Sequence, residues 1–255
     1  MKINIIENAI KNLIQVFFEA GKLSIELRNN GLKKHIKKDN TPVTNGDMEV
    51  NDIIIKNLKK ITPNIPIISE ETSDNKDLDL KTFWLVDPID GTYDYIHNKD
   101  EFTLNAGLII ERKAVAGIIY APAKNRMFYS YGNNLSYEFK DNNEKLLNNK
   151  KIDINNIKAV SYSNTLKPEI IKIHNKLNVK EYIKMKSSLK FCVVATGEYQ
   201  VYVAEPRARE WDIAAGHAIL KNSGGLITDF DGNEVFYGKD GFKNPSIILK
   251  SSEII

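Results

Sequence analysis

At 255 residues the chain is long enough for one large domain or two moderate ones, and 42% hydrophobic with 27% charged residues is the balance of a globular protein. A net charge of +3 without a dense basic stripe carrying aromatics argues against polymeric nucleic acid and leaves a small anion open. The single cysteine, Cys192 in the apolar run Phe191 to Ala195, excludes an internal disulfide and suits a reducing compartment.

Glu7 and Asn8 break what would have to be the apolar centre of a signal peptide, and the longest uncharged runs fall far short of a membrane span. A cytoplasmic protein without a transmembrane segment is expected. Ile6, Ile10, Leu13, Ile14, Phe17 and Phe18 have the spacing of one helix face over 3–27, interrupted late by Gly21. The lysine run Lys33 to Asp39 reads as a solvated edge rather than an anion-steering patch. A turn-rich stretch, Asp39 to Asp47, then leads into a helical pattern at Met48, Val50, Ile53, Ile54 and Leu58. Thr44 is its N-cap candidate; Asp47 in the first turn either favours the helix dipole or points toward a shared acidic cluster. Ile65 to Ser69 is a short apolar strand that ends in Glu70 and Glu71.

The chain is organised around Phe83-Trp84-Leu85-Val86-Asp87-Pro88-Ile89-Asp90-Gly91-Thr92, a buried-strand pattern that the Asp-Pro is expected to stop. Asp87 then sits at a strand end beside the end of the preceding strand. With Gly91 permitting a tight turn, Asp87, Asp90 and the Ile89 carbonyl can converge, and hard oxygens so arranged suit Mg²⁺ with phosphate oxygens as further ligands. The bland alternative is an Asp-Pro turn with solvated carboxylates. Two apolar strands that both end in acids favour one shared pocket.

Phe102 to Ile110, Ala114 to Tyr120 and Arg126 to Tyr131 read as successive antiparallel strands that complete a sheet. Asp141 to Lys151, polar and rich in Asn and Lys, is the expected junction between an N-terminal unit of residues 1–145 and a C-terminal unit of residues 146–255. Strands and helices then alternate: Ala159 to Ser163, Pro168 to Leu177, Glu181 to Met185, Leu189 to Thr196, Tyr199 to Val203, a last helix Trp211 to Asn222, and Leu226 to Asp229. That alternation argues for an α/β layer. Asp212 opens the last helix beside Trp211, a large anchor, and is followed by Ala214, Ala215 and Gly216, which allow a close backbone approach.

Taken in order, Thr41-Pro42-Val43-Thr44 through Asp47, Ser69-Glu70-Glu71, Asp87 to Thr92, and Trp211 to Gly216 resemble the inositol monophosphatase superfamily over nearly the whole chain. Asp100 to Asn105, Tyr120-Ala121-Pro122 and Ser187-Ser188-Leu189-Lys190-Phe191-Cys192 look most like its CysQ-type 3′(2′),5′-bisphosphate nucleotidase branch. The resemblance implies a five-layer αβαβα sandwich and Mg²⁺-dependent release of AMP and phosphate from adenosine 3′,5′-bisphosphate. It implies two or three ions, held by Glu70, Asp87, the Ile89 carbonyl, Asp90 and Asp212, with Asp87 bridging. Asp47 and Thr92 would orient and deprotonate the attacking water, with Glu70 the third catalytic residue. Asp90, Gly91, Thr92, Lys190, Arg207, Arg209 and Asp212 are the expected substrate contacts. Lithium sensitivity and a peripheral location at the inner membrane are further implications, and a homodimer is left open.

The chain departs from this branch at Lys186, where Gly is usual, and in Ser161 to Asn164, which lacks the usual His. Both places lie near the expected nucleoside site and leave base preference open. His35, His97, His174 and His217 match no metal or triad spacing. The rival expectations are an inositol-1-phosphatase or related sugar phosphatase, and a non-catalytic nucleotide- or metal-binding protein.

Overall fold

Ile6, Ile10, Leu13, Phe17 and Ala20 form the buried stripe of α1, Ile3–Asn30, in the computed structural model, which describes residues 3–37, 41–72, 80–148 and 152–252. Helix α1 runs on through Gly21, where a methyl group would lie 2.3 Å from the Tyr120 ring, so the glycine serves a close approach rather than a break. A short ribbon, β1 (Lys34–Ile36), which is exposed, with the partly buried β2 (Pro42–Thr44), leads to α2, Asn45–Ile61. The start of α2 is a reciprocal cap: the Thr44 hydroxyl accepts from the Gly46 and Asp47 amides, and Asp47 accepts the Thr44 amide at 2.7 Å.

Strands β3 (Ile67–Ser69), β4 (Phe83–Asp90), β5 (Thr103–Ile110), β6 (Lys113–Ala121), β7 (Arg126–Gly132), β8 (Leu135–Lys140) and β9 (Asn143–Leu146) form a seven-stranded sheet in that order, with the short helix α3 (Thr92–Ile96) following β4. Within this sheet, only β3 and β4 are parallel neighbours among the described residues. The remaining chain builds a five-stranded sheet from β10 (Ile157–Ser161), β11 (Val179–Lys184), β12 (Val201–Ala204), β13 (Leu226–Thr228) and β14 (Ile247–Lys250), in the order β11-β10-β12-β14-β13. Helices α4 (Pro168–Lys176), α5 (Leu189–Thr196) and α6 (Glu210–Asn222) alternate with these strands.

The period-two alternation of the strands sets the layers. Trp84, Val86, Leu104, Ala106 and Ile118 face α1 and α2 in one core, whereas Phe83, Leu85, Ile109 and Ile119 share another with α5, α6 and the second sheet. The second sheet's other face, through Ala159, Val201 and Val203, packs on Ile170 of α4. Helix, sheet, helix, sheet, helix is the expected five-layer αβαβα sandwich.

Two expectations need correction, and one strand escaped the sequence reading. The Asp-Pro does not stop β4, which continues to Asp90 with its register to β5 shifted between Asp87 and Asp90. Pro88 is tolerated because pairing with β3 has already ended at Val86, so its missing amide removes no bond on that side. The first sheet does not end at β7: consecutive left-handed residues, Asn133-Asn134 and Asp141-Asn142, make two further tight hairpins. Within the expected junction, residues 141–146 form a turn and β9, and residues 149–151 lie outside the described residues. Finally, β14 was not anticipated, although it is the strand that joins β12 to β13.

Candidate active site

Parallel pairing sets the first two acids side by side. Ser69 lies opposite Val86, and the Glu70 amide donates to the Val86 carbonyl at 3.0 Å, which carries Glu70 alongside Asp87. The third acid, Asp212, arrives on the first turn of α6. That helix lies directly on the sheet at two glycines: a methyl at Gly107 would stand 2.7 Å from the Ala214 Cβ, and one at Gly117 2.7 Å from the Ala215 Cα. Trp211 packs against Phe242 at 5.7 Å, and the fully buried Glu210 carboxylate holds the Gly238 and Lys239 amides at 2.7 and 3.0 Å. The start of α6 is thereby fixed.

Carboxylate oxygens of Glu70, Asp87 and Asp212 come within 4.8 Å of one another. Burial, reinforced by neighbouring carboxylates, pushes Asp87 well above the usual range and Asp212 up to about 8. Burial likewise raises Glu70 and Asp47, against the pull of Lys37 and of the Thr44 hydrogen bonds respectively. The Oδ1 atom of Asp87 is buried without a hydrogen-bond partner among the described residues. Three mutually repelling carboxylates with an orphaned buried oxygen are a donor set that fits a hard divalent cation.

The cluster opens into a cavity of about 290 Å³ lined also by Thr41, Pro42, Ile89, Asp90, Gly91, Thr92 and Tyr93. Asp90 stands outside the tight trio, its Oδ2 accepting the Ser188 hydroxyl at 2.6 Å. The Thr92 hydroxyl lies 3.1 Å from the Ile89 carbonyl and 3.3 Å from Asp47 Oδ1, so a single proton is shared between two acceptors. Gly91 has φ +94°, and a side chain there would press on the Glu101 carbonyl at 3.0 Å.

A second cavity shares Asp90 and Asp212 with the first and is lined by Ser188, Lys190, Tyr202, Glu205 and Arg207. The Lys190 ammonium is buried, donates to the Ser187 carbonyl, and lies 5.4 Å from the Tyr202 ring centre; burial lowers it to about 8. The exposed Arg207 stacks 4.1 Å over Tyr162, whose hydroxyl donates to Glu205 at 2.6 Å. Arg209 is placed differently. Its guanidinium donates to the Gly241 carbonyl at 2.6 Å and lines neither of these cavities, while its amide donates to Asp212 at 2.7 Å.

Sequence reasoning passed over two residues here. Lys37, read as part of a solvated run, is half-buried with its ammonium 3.2 Å from Glu70 and 2.8 Å from Glu71, whose carboxyl burial pushes up to about 7. Lys38 and Asp39 of that run lie outside the described residues. Ser188 appeared only inside a motif, and nothing in its spacing signalled contact with Asp90. None of the four histidines joins the acids: His217, for example, is buried against the Tyr237 hydroxyl at 2.9 Å.

Comparison with known proteins agrees with this architecture. A CysQ 3′(2′),5′-bisphosphate nucleotidase of Buchnera aphidicola is 35% identical over 241 residues, covering 92% of this chain and 89% of its own. That of Escherichia coli K12 is 33% identical over 224 residues, 82% of this chain and 85% of its own. The crystal structure of CysQ from Bacteroides thetaiotaomicron, a bacterial member of the inositol monophosphatase family, superposes with a TM-score of 0.79 at 28% identity, covering 96% of this chain and 97% of that one. No helix among the described residues is long and apolar enough to cross a membrane. The Inositol monophosphatase family profile matches residues 5–253, and the chain belongs to that family.

Proposed function

We propose that this protein is a Mg²⁺-dependent 3′(2′),5′-bisphosphate nucleotidase that releases AMP and phosphate from adenosine 3′,5′-bisphosphate. The observation that carries the reading is the gathering of Glu70, Asp87 and Asp212 around an orphaned oxygen, next to a cavity that holds a buried ammonium. The CysQ relatives bear the same activity in their names.

Glu70, Asp87, the Ile89 carbonyl, Asp90 and Asp212 would hold two or three Mg²⁺ ions. When bound, these ions supply neutralisation of the acids, polarisation of the phosphoryl oxygens and a lowered pKa for the attacking water. Asp47 and Thr92 would hold the water's position: with the Ile89 carbonyl engaged as a metal ligand, the Thr92 hydroxyl donates to Asp47 at 3.3 Å and its oxygen stays free to accept from the water. Burial raises the Asp47 carboxyl toward the range of a base that can receive that proton. Lys190 meets the phosphate that is not cleaved, and Arg207 closes the outer rim of that cavity. In this reading residues 1–145 supply the acids that grip the scissile phosphate, and residues 146–255 supply Asp212 and the substrate contacts. The compartment we propose is the cytoplasm, where the lone buried Cys192 stays reduced.

The test is a panel of adenosine 3′,5′-bisphosphate, inositol 1-phosphate and fructose 1,6-bisphosphate assayed across a Mg²⁺ titration and in EDTA. The bisphosphate nucleotide should give the highest kcat/KM and EDTA should abolish turnover. Preferential hydrolysis of inositol 1-phosphate would remove the nucleotidase assignment.

A further inference from the structure

Helix α5 begins at two serines that have exchanged ordinary duties. Ser188 occupies the N-cap position yet has helical dihedrals, φ −67° and ψ −5°, and its hydroxyl caps nothing. Ser187 has taken that role instead, its hydroxyl accepting the Leu189 amide at 3.3 Å from a left-handed backbone at φ +53°. An L-residue held at positive φ is a local cost, so the arrangement points to a use for the released Ser188 hydroxyl.

That hydroxyl is buried where three elements meet. It lies 2.6 Å from Asp90 Oδ2 on β4 and 2.6 Å from the Asp212 main-chain carbonyl on α6, and it accepts from Asn105 Nδ2 on β5 at 3.1 Å. Asn105 is itself the residue opposite Asp87 in the β4–β5 ladder. A hydroxyl has one proton to give, and with Asn105 filling an acceptor position its proton is directed at Asp90 or at the first turn of α6. Engagement of Oδ2 leaves the second oxygen of Asp90 for a ligand. Asp90 reaches the site by a shifted strand and Asp212 by a helix from the other end of the chain, and Ser188 touches both.

We infer that Ser188 is a positioning residue whose hydroxyl, wedged between Asp90 and the start of α6 and donating to one of them, sets the spacing of the two acids that a shared divalent cation needs. The inference rests on the metal reading of the acidic cluster. Partners one step removed from the ligands fix ligand orientation, and their loss costs about 10–100-fold in metal affinity. Ser188→Ala therefore weakens one class of ion by at least about tenfold, whereas Ser188→Thr, which keeps the hydroxyl, stays close to the parent protein.

The experiment measures Mn²⁺ bound to the full chain by electron paramagnetic resonance of the free ion, without substrate, alongside thermal melts in EDTA. Weakened binding in Ser188→Ala, retained binding in Ser188→Thr and unchanged melting in EDTA support the inference. Parent-like Mn²⁺ affinity in folded Ser188→Ala overturns it, as does weakening that tracks a lowered melting temperature in EDTA. Absence of Mn²⁺ binding by the parent protein overturns the metal reading itself, and this inference with it.

Discussion

Asp212→Asn should make the metal-free protein more stable while abolishing its metal response. Burial, with Asp90 and Glu70 nearby, raises the Asp212 carboxyl from an ordinary 3.8 to about 8. Between those values the folded protein keeps a proton that the unfolded chain has released, so stability falls as pH rises, by about 1.4 kcal/mol per unit. From pH 5 to pH 7 that amounts to roughly 3 kcal/mol for this group alone. Asparagine removes the titration and still offers an oxygen to the Arg209 amide, which Asp212 accepts at 2.7 Å. In a chain of this size the growth of that gain between pH 5 and pH 7 corresponds to roughly 6–12 °C in melting temperature. Urea melts of both proteins in EDTA at pH 5, 6, 7 and 8 measure the difference, in which the opposing contribution of the buried, proton-poor His174 and His217 cancels. Mg²⁺ should narrow the difference, since a ligand at 100 times its Kd stabilises the parent by about 2.7 kcal/mol. A variant no more stable than the parent at pH 7 in EDTA, or a difference that does not grow with pH, would refute the claim that burial and the neighbouring acids raise Asp212.

Three further outcomes are expected. Lys37→Gln strips Glu70 and Glu71 of their ammonium, so it should lose about 1–2 kcal/mol in EDTA, a partly exposed pair, and bind Mg²⁺ more tightly; unchanged melting and titration curves would contradict this. Thr92→Val removes the hydroxyl between Asp47 and the Ile89 carbonyl and should lower kcat by about 10²–10⁴ with Mn²⁺ affinity retained, so near-parent kcat would rule out its place beside the water. Because burial lowers Lys190 to about 8, its charge is present below pH 8 and lost above it. KM for the bisphosphate should then rise above pH 8, and Lys190→Met should show a high KM at every pH; a KM equal to that of the parent would exclude it from phosphate binding.

Much of the fold was legible where periodicity is strong. Ile6, Ile10, Leu13 and Phe17 marked α1, and the boundaries of α5 were read at Leu189 and Thr196, as observed. The strands from Thr103 to Gly132 were equally plain, because alternation and turns are local properties. Where local signals conflict, the reading failed. Pro88 announced the end of a strand, but the neighbour that would have required its amide had already departed; β8 and β9 hid in polar sequence because their outward residues face solvent.

The amino-acid sequence by itself determined which chemistry was on offer: acids after two apolar strands, a third acid before a run of small residues, and the ordered motifs of one family. Only the tertiary structure decided which of these groups meet. It brought Glu70, Asp87 and Asp212 within 4.8 Å, set Asp90 apart on Ser188, drew Lys37 out of a surface run and turned Arg209 toward Gly241. The reason is physical. Periodicity reports which face of an element is buried, whereas convergence across the chain depends on how closely packed elements approach, and here two glycines beneath α6 set that distance.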